Sequence, residues 1–126
     1  MDIKSIIKSE SHTIKSNDTI DKALELMGKF KVNGMPVVDD ENNLVGMVVK
    51  ADIYRFMISP GHYDTCPVEW VMSKSVIFAE VNDDLLVAAK KLRENDIISM
   101  PVIENGKVIG IISIEDLLDY FIGKEA

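Results

Sequence analysis

Ser113 and Asp116 stand three residues apart, where an apolar run ends and a helical pattern begins. A hydroxyl at that junction and a carboxylate in the first turn form the pattern of a capping box, in which each side chain takes a backbone N–H of the helix start. At an offset of 64 residues, Asp52 occupies the matching place, but Val49 stands where the hydroxyl would be. Lys50 is the nearest cation, and Arg55, three residues after Asp52, is placed to pair with it on the helix face.

Other reactive types are present without a partner set. His62 and the single cysteine, Cys66, lie in the linker, His12 is far off in sequence, and no acidic or Cys partner has ligand spacing, so they do not read as a metal site. His62 and Cys66 have neither an orienting third residue nor an oxyanion donor, so they do not read as a nucleophile and its base. Glu115 points to a different helical face from Asp116, and Asp119 is a like charge one turn on, so no acid/base pair emerges. Met27, Met35, Met47, Met57, Met72 and Met100 fall on faces expected to pack. The expectation is a protein that is not an enzyme, with no catalytic residue and no metal.

The elements that must position Ser113 and Asp116 occur twice. Met35-Pro36-Val37-Val38 matches Met100-Pro101-Val102-Ile103, and Leu44-Val45-Gly46 matches Val108-Ile109-Gly110. Ile3, Ile6 and Ile7 recur as Val68, Val71 and Met72, and the short extended segment at His12-Thr13-Ile14 recurs at Val76-Ile77-Phe78-Ala79. Asn17-Asp18, with Asp21 following, is expected to cap a helix whose inner face is Ile20, Ala23, Leu24 and Met27. Asn33-Gly34 is expected to break that helix near Phe30 to Val32. A hairpin, 35–38 and 44–49, then leads to a helix over about 50–58. Asn82-Asp83 and Leu85, Ala88, Ala89 and Leu92 repeat the cap and the helix. The hairpin strands are continuously apolar, which predicts a sheet covered on both faces. The linker at 59–67 divides the chain into repeats at 1–60 and 61–126 that together form one α+β module.

The chain has 126 residues and a net charge of −7, which argues against a general phosphate-backbone binder. One cysteine allows no internal disulfide, so a cytoplasmic location is expected. No apolar run is long enough for a membrane span, and neither a membrane nor a nucleic acid is an expected partner.

The order of these elements, written twice, resembles the cystathionine-β-synthase (CBS) domain over residues 3–122, and the tandem resembles a stand-alone Bateman-type pair. The resemblance implies a regulatory or energy-sensing module that binds an adenosine-type ligand (AMP, ADP, ATP or S-adenosylmethionine) between the repeats, as a regulatory ligand and not as a cofactor. It implies that Asp116 meets the ribose and Ser113 the phosphate. A carboxylate can accept from both hydroxyls of a diol, and a helix start offers N–H groups to an anion. His12, Asn33, Gly34, Met35 and Pro36 would line the base slot, with Ile111 and Ile112 as its floor. A weaker second cleft would use Asp52, Lys50, Val76, Ile77, Ile98 and Ser99, and the missing hydroxyl at Val49 predicts unequal sites. The alternatives are a ligand-free interaction or dimerisation module and a small nucleotide-acting enzyme. The apolar arcs Ile53, Tyr54, Phe56, Met57, Ile58 and Ile114, Leu117, Leu118, Tyr120, Phe121, Ile122 are wider than one core-facing stripe, which predicts a homodimer. The identity of a regulated partner protein is left open.

Overall fold

The computed structural model describes residues 2–7 and 12–125, with the side chains of residues 124 and 125 left aside. The chain forms two compact units, His12–Val76 and Met1–Ser11 with Ile77–Ala126. The first is here called the first unit and the other the second unit. These units cut the chain differently from the sequence repeats, because each repeat's leading segment belongs with the other repeat.

In the first unit, β1 (Ile14–Lys15) lies parallel to β2 (Gly34–Val38), and β2 pairs antiparallel with β3 (Leu44–Val49). Helix α1 (Ile20–Phe30) joins β1 to β2, and α2 (Lys50–Ile58) follows β3. Met35, Val37 and Val48 lie in one core with Ile20, Ala23, Met27 and Ile53. Pro36 and Val38 alternate to the other face and are buried as well, as the continuous apolar strands require.

The second unit repeats this plan. Strand β4 (Ala79–Glu80) lies parallel to β5 (Ser99–Glu104), which pairs antiparallel with β6 (Lys107–Ser113). Helices α3 (Leu85–Glu94) and α4 (Ile114–Glu125) complete it. Asn105 and Gly106 both take positive φ, 53° and 81°, so the hairpin closes in the two-residue turn that Asn-Gly favours.

The leading segments are built into these cores. A 3-10 turn at Ile3–Ser5 belongs to the second unit; Ile3 is fully buried and its N–H donates to the Asp83 carbonyl at 3.0 Å. A second such turn, Val68–Trp70, belongs to the first unit; Val68 is fully buried and its N–H donates to the Asp18 carbonyl at 2.8 Å. Ser73 bridges to Met47, bringing this segment against β3. Gly46 allows that approach, since a Cβ there would lie 2.9 Å from the Ser73 carbonyl oxygen and 2.7 Å from Met72 Sδ.

Three local expectations are corrected. Helix α1 is capped at Thr19, not at Asn17-Asp18, and without a side-chain cap bond. Its first N–H groups, on Ile20 and Asp21, donate to the carbonyls of Cys66 and Asp64, each at 2.9 Å. A tertiary contact therefore satisfies the orphan donors that local chemistry was expected to serve. Helix α3 is capped by Asp84, whose carboxylate accepts from the Leu86 N–H at 2.8 Å; Asp83 instead closes the turn from Glu80. Helix α1 ends at Phe30, within the expected span, but the break is made by Lys31 in the left-handed region (φ 57°), since Gly34 is already in β2. The short strands also start later than expected, at Ile14 and Ala79. No helix among the described residues is long and apolar enough to cross a membrane.

Candidate functional site

The site begins where β6 runs into α4. Ser113 is the last residue of the strand and Asp116 lies in the first turn of the helix. The Ser113 N–H donates to Asp116 Oδ2 at 2.9 Å, and the Asp116 N–H donates to Ser113 Oγ at 3.1 Å. The capping box is therefore closed in both directions. The hydrogen bonds also assign roles to what remains. Ser113 Oγ accepts within the box, so its own O–H proton stays available as a donor. Asp116 uses one carboxylate oxygen, and the other remains an acceptor. Neither spare group has another partner among the described residues. A donor and an acceptor are thus held side by side at the positive end of a helix. The cap therefore leaves one O–H donor and one carboxylate oxygen unused.

Neighbours in the second unit are set by the hairpin. Ser99 is the cross-strand partner of Ser113, and the Ile98 carbonyl accepts the Ile114 N–H at 2.9 Å. Ile98 is 70% exposed, an unusual state for an isoleucine beside a helix start. Ile111 is half-buried on the sheet face of Ser113, whereas Ile112 alternates into the core and is 1% exposed. The Ile112 side chain is used for packing, so of the two residues expected as a floor only Ile111 is open to solvent. Ile77 lies on the segment leading to β4, which Lys91 holds: its ammonium donates to the Phe78 carbonyl at 2.9 Å and lies 5.8 Å from the Phe78 ring centroid. No sequence signal links residues so placed, and Lys91 was not anticipated.

The first unit has the same geometry with different chemistry. The Asn33 carbonyl accepts the Lys50 N–H at 2.8 Å, and Gly34 pairs with Val49. A Cβ on Gly34 would lie 3.1 Å from Val49 Cγ1 and 3.3 Å from the Val48 carbonyl oxygen, so the hairpin itself fills that space. Met35 is fully buried in the core, so that only its backbone is left for the slot, and Pro36 is buried on the opposite face. His12 stacks on Phe30 with centroids 3.6 Å apart and planes at 14°, so one imidazole face is covered. Asp52 pairs with Arg55, as its spacing suggested. Val49 offers no hydroxyl and α2 has no side-chain cap bond. Val76 is half-buried at the end of this unit.

The remaining histidine and the cysteine have local roles. His62 stacks on Phe56 at 3.9 Å, and its Nδ1 lies 2.7 Å from the Phe56 carbonyl oxygen, which makes Nδ1–H the donor to the C-terminal turn of α2. Cys66 is buried and its Sγ accepts from the Tyr63 N–H. Among the described residues, no three of His, Cys, Asp and Glu are grouped to hold a metal ion.

The sequence model of the CBS domain matches this chain twice, over residues 3–59 and 68–123. The chain belongs to the CBS domain family. The CBS domain pair of protein MJ0100, solved in complex with 5′-methylthioadenosine and S-adenosyl-L-methionine, is 28% identical with a TM-score of 0.85, and 98% of each chain is covered. CBSX2, solved in complex with AMP, is also 28% identical, with a TM-score of 0.88 over 99% of this chain and 98% of that one. The homoserine O-acetyltransferase of Methanococcus vannielii is 33% identical over 116 residues, 91% of this chain but 24% of its own length. The CBS pair here thus spans about a quarter of that relative's length.

Proposed function

We propose that this CBS pair is a regulatory, non-catalytic module that binds an adenosine-type nucleotide, with the start of α4 holding its ribose and phosphate. The observation that carries the reading is the closed Ser113–Asp116 box, which leaves one hydroxyl donor and one carboxylate acceptor free at a helix start. A sugar hydroxyl needs the acceptor, and a phosphate oxygen needs the donor and the helix end. The bound adenosine ligands of the two similar CBS pairs support the class of ligand. AMP, ADP, ATP and S-adenosylmethionine are the candidates, and response to cellular energy state follows if adenine nucleotides compete. His12, Asn33, Gly34 and Pro36 are proposed for the base, and Lys50, Asp52, Val76, Ile77, Ile98 and Ser99 for a weaker second site. The two repeats, 1–60 and 61–126, are proposed to act as one module, cytoplasmic and homodimeric, acting on a protein partner.

A thermal-shift screen with AMP, ADP, ATP, S-adenosylmethionine and NAD tests the reading, because a ligand that binds only the native state raises apparent stability. A rise with one or more adenosine compounds, lost in Asp116→Ala, is expected. No shift with any of them, and no nucleotide absorbance released on denaturation, would favour the ligand-free interaction module. The box supports that second reading too, since it satisfies the helix start by itself.

A further inference from the structure

The two helix starts differ in charge as well as in the hydroxyl. At the offset of 64 residues, Lys50, Ala51 and Arg55 of α2 stand where Ile114, Glu115 and Asp119 stand in α4. The start of α2 therefore sets two cations beside Asp52, and the start of α4 sets two further carboxylates beside Asp116. Glu115 and Asp119 are both exposed, and neither has an ion-pair partner among the described residues. Arg55 takes up Asp52 in an ion pair; Asp119 offers Asp116 no such partner.

Geometry keeps these carboxylates close to the box. At 100° per residue, Asp119 lies about 60° round the helix from Asp116 and about 4.5 Å further along its axis. Asp96, exposed two residues before Ile98, adds a negative charge to the loop leading into β5. Arg93 does not offset them. It lines a groove between α3 and α4 with Ile114, Leu117, Leu118 and Phe121, a stripe whose middle is about 150° round α4 from Asp116. Lys91 is committed to the Phe78 carbonyl and to Asp83, and Lys107 opens β6, about 20 Å of strand away from Ser113.

The box and these charges ask different things of a ligand. A single phosphate is served by the Ser113 hydroxyl and the positive end of the helix. Each further phosphoryl group extends past them and adds negative charge beside Glu115 and Asp119, where the helix start supplies no cation. A sulfonium, by contrast, is attracted by the same carboxylates. We propose that the start of α4 admits adenosine compounds with no more than one phosphate, AMP or S-adenosylmethionine, and that Glu115 and Asp119 exclude ADP and ATP. This rests on the proposed ribose and phosphate site and sets its ligand class.

Isothermal titration calorimetry with AMP, ADP, ATP and S-adenosylmethionine tests it, with divalent ions chelated so that no metal masks the added phosphates. The binding event that Asp116→Ala abolishes reports the α4 start. At about 0.01 M ionic strength its affinity is expected to fall about fivefold to tenfold from AMP to ADP, and again to ATP. The gap is expected to narrow at about 1 M, where the screening length drops from about 30 Å to about 3 Å. Glu115→Gln combined with Asp119→Asn, with circular dichroism as a fold control, is expected to bring ATP within about threefold of AMP. ADP or ATP binding as tightly as AMP in the wild type, or a gap that the neutralised pair leaves unchanged, would overturn the exclusion and leave nucleotide binding at α4 intact. Asp116-dependent binding of none of the four would instead overturn the site itself. Should the double variant lose its fold, the salt series on the wild type decides: a gap that ionic strength does not narrow rejects exclusion by charge.

Discussion

The starts of α2 and α4 are the same piece of backbone with different side chains. In both, a hairpin delivers the chain to a helix whose first N–H is taken by the loop before β2 or β5, from Asn33 in one unit and Ile98 in the other. In both, an aspartate sits in the first turn. At α4 the Ser113 N–H donates to that aspartate's carboxylate and the Ser113 hydroxyl accepts the Asp116 N–H; at α2 the valine offers no such acceptor, and Asp52 pairs with Arg55 instead. The two carboxylates are thus used differently, one held at a helix start and the other in an exposed ion pair. Fold repetition alone does not make two equal helix starts.

The largest expected effect tests whether the cores beneath the two helices set this difference. Ile3 shares a core with Ile112 and Leu117, the residues next to Ser113 and Asp116, while Val68 shares one with Ile53. Ile3→Ala should cost about 2–5 kcal/mol of stability and Val68→Ala about 1–3 kcal/mol, read by denaturant unfolding. Native-state hydrogen exchange should quicken at the Ser113 and Asp116 amides in the first variant more than in the second. Equal exchange in both would show that the box does not depend on the core it sits over.

Next in size is the ligand response. Asp116→Ala should weaken nucleotide binding by about 1.5–3 kcal/mol, roughly 10- to 150-fold, by removing a charged acceptor. Asp52→Ala should change it by less than about threefold, since that carboxylate already serves an exposed pair. Isothermal titration calorimetry on both variants checks the ranking, and equal losses would erase the distinction between the two helix starts. Ser113→Ala should then lower fold stability by about 1 kcal/mol through the lost cap, whether or not nucleotide is present. An affinity loss larger than the stability loss would assign the hydroxyl to the ligand as well.

How legible was this in the sequence? The repeat, the hairpins and the helix faces follow from apolar spacing, and the strands fall where Met-Pro-Val runs predict them. The Ser113–Asp116 box and the Asp52–Arg55 pair are local, three residues apart, so spacing was enough. What failed was long-range. The cap of α1 comes from the carbonyls of Asp64 and Cys66, more than forty residues away, and no local pattern announces it. The stack of His12 on Phe30 and the hold of Lys91 on Phe78 are likewise tertiary. That the side chains of Met35 and Ile112 face the core was not legible for a simpler reason: in a strand buried on both faces, composition does not say which alternate residues do so.

The smallest effect is also the sharpest test of the comparison. Val49→Ser restores the hydroxyl missing from α2. The substitution removes apolar contact with Gly34, at about 0.8 kcal/mol per methylene equivalent, and gains a cap of about 0.5–2 kcal/mol. Asp52 must leave Arg55 to complete the box, but an exposed pair of this kind contributes only about 0–1 kcal/mol. The contributions nearly cancel, so the unfolding midpoint should hardly move. What should change is the arrangement: Asp52 should swing back to the helix start, seen as slowed exchange at the residue 49 and 52 amides. Combined with Arg55→Ala, which frees Asp52 outright, the variant should add a second, weaker binding event in calorimetry. If the amides slow and no second event appears, the hydroxyl rebuilds the cap without rebuilding a site, and the inequality of the two units must lie in the residues around it, with the filled space beside Gly34 as the first place to look.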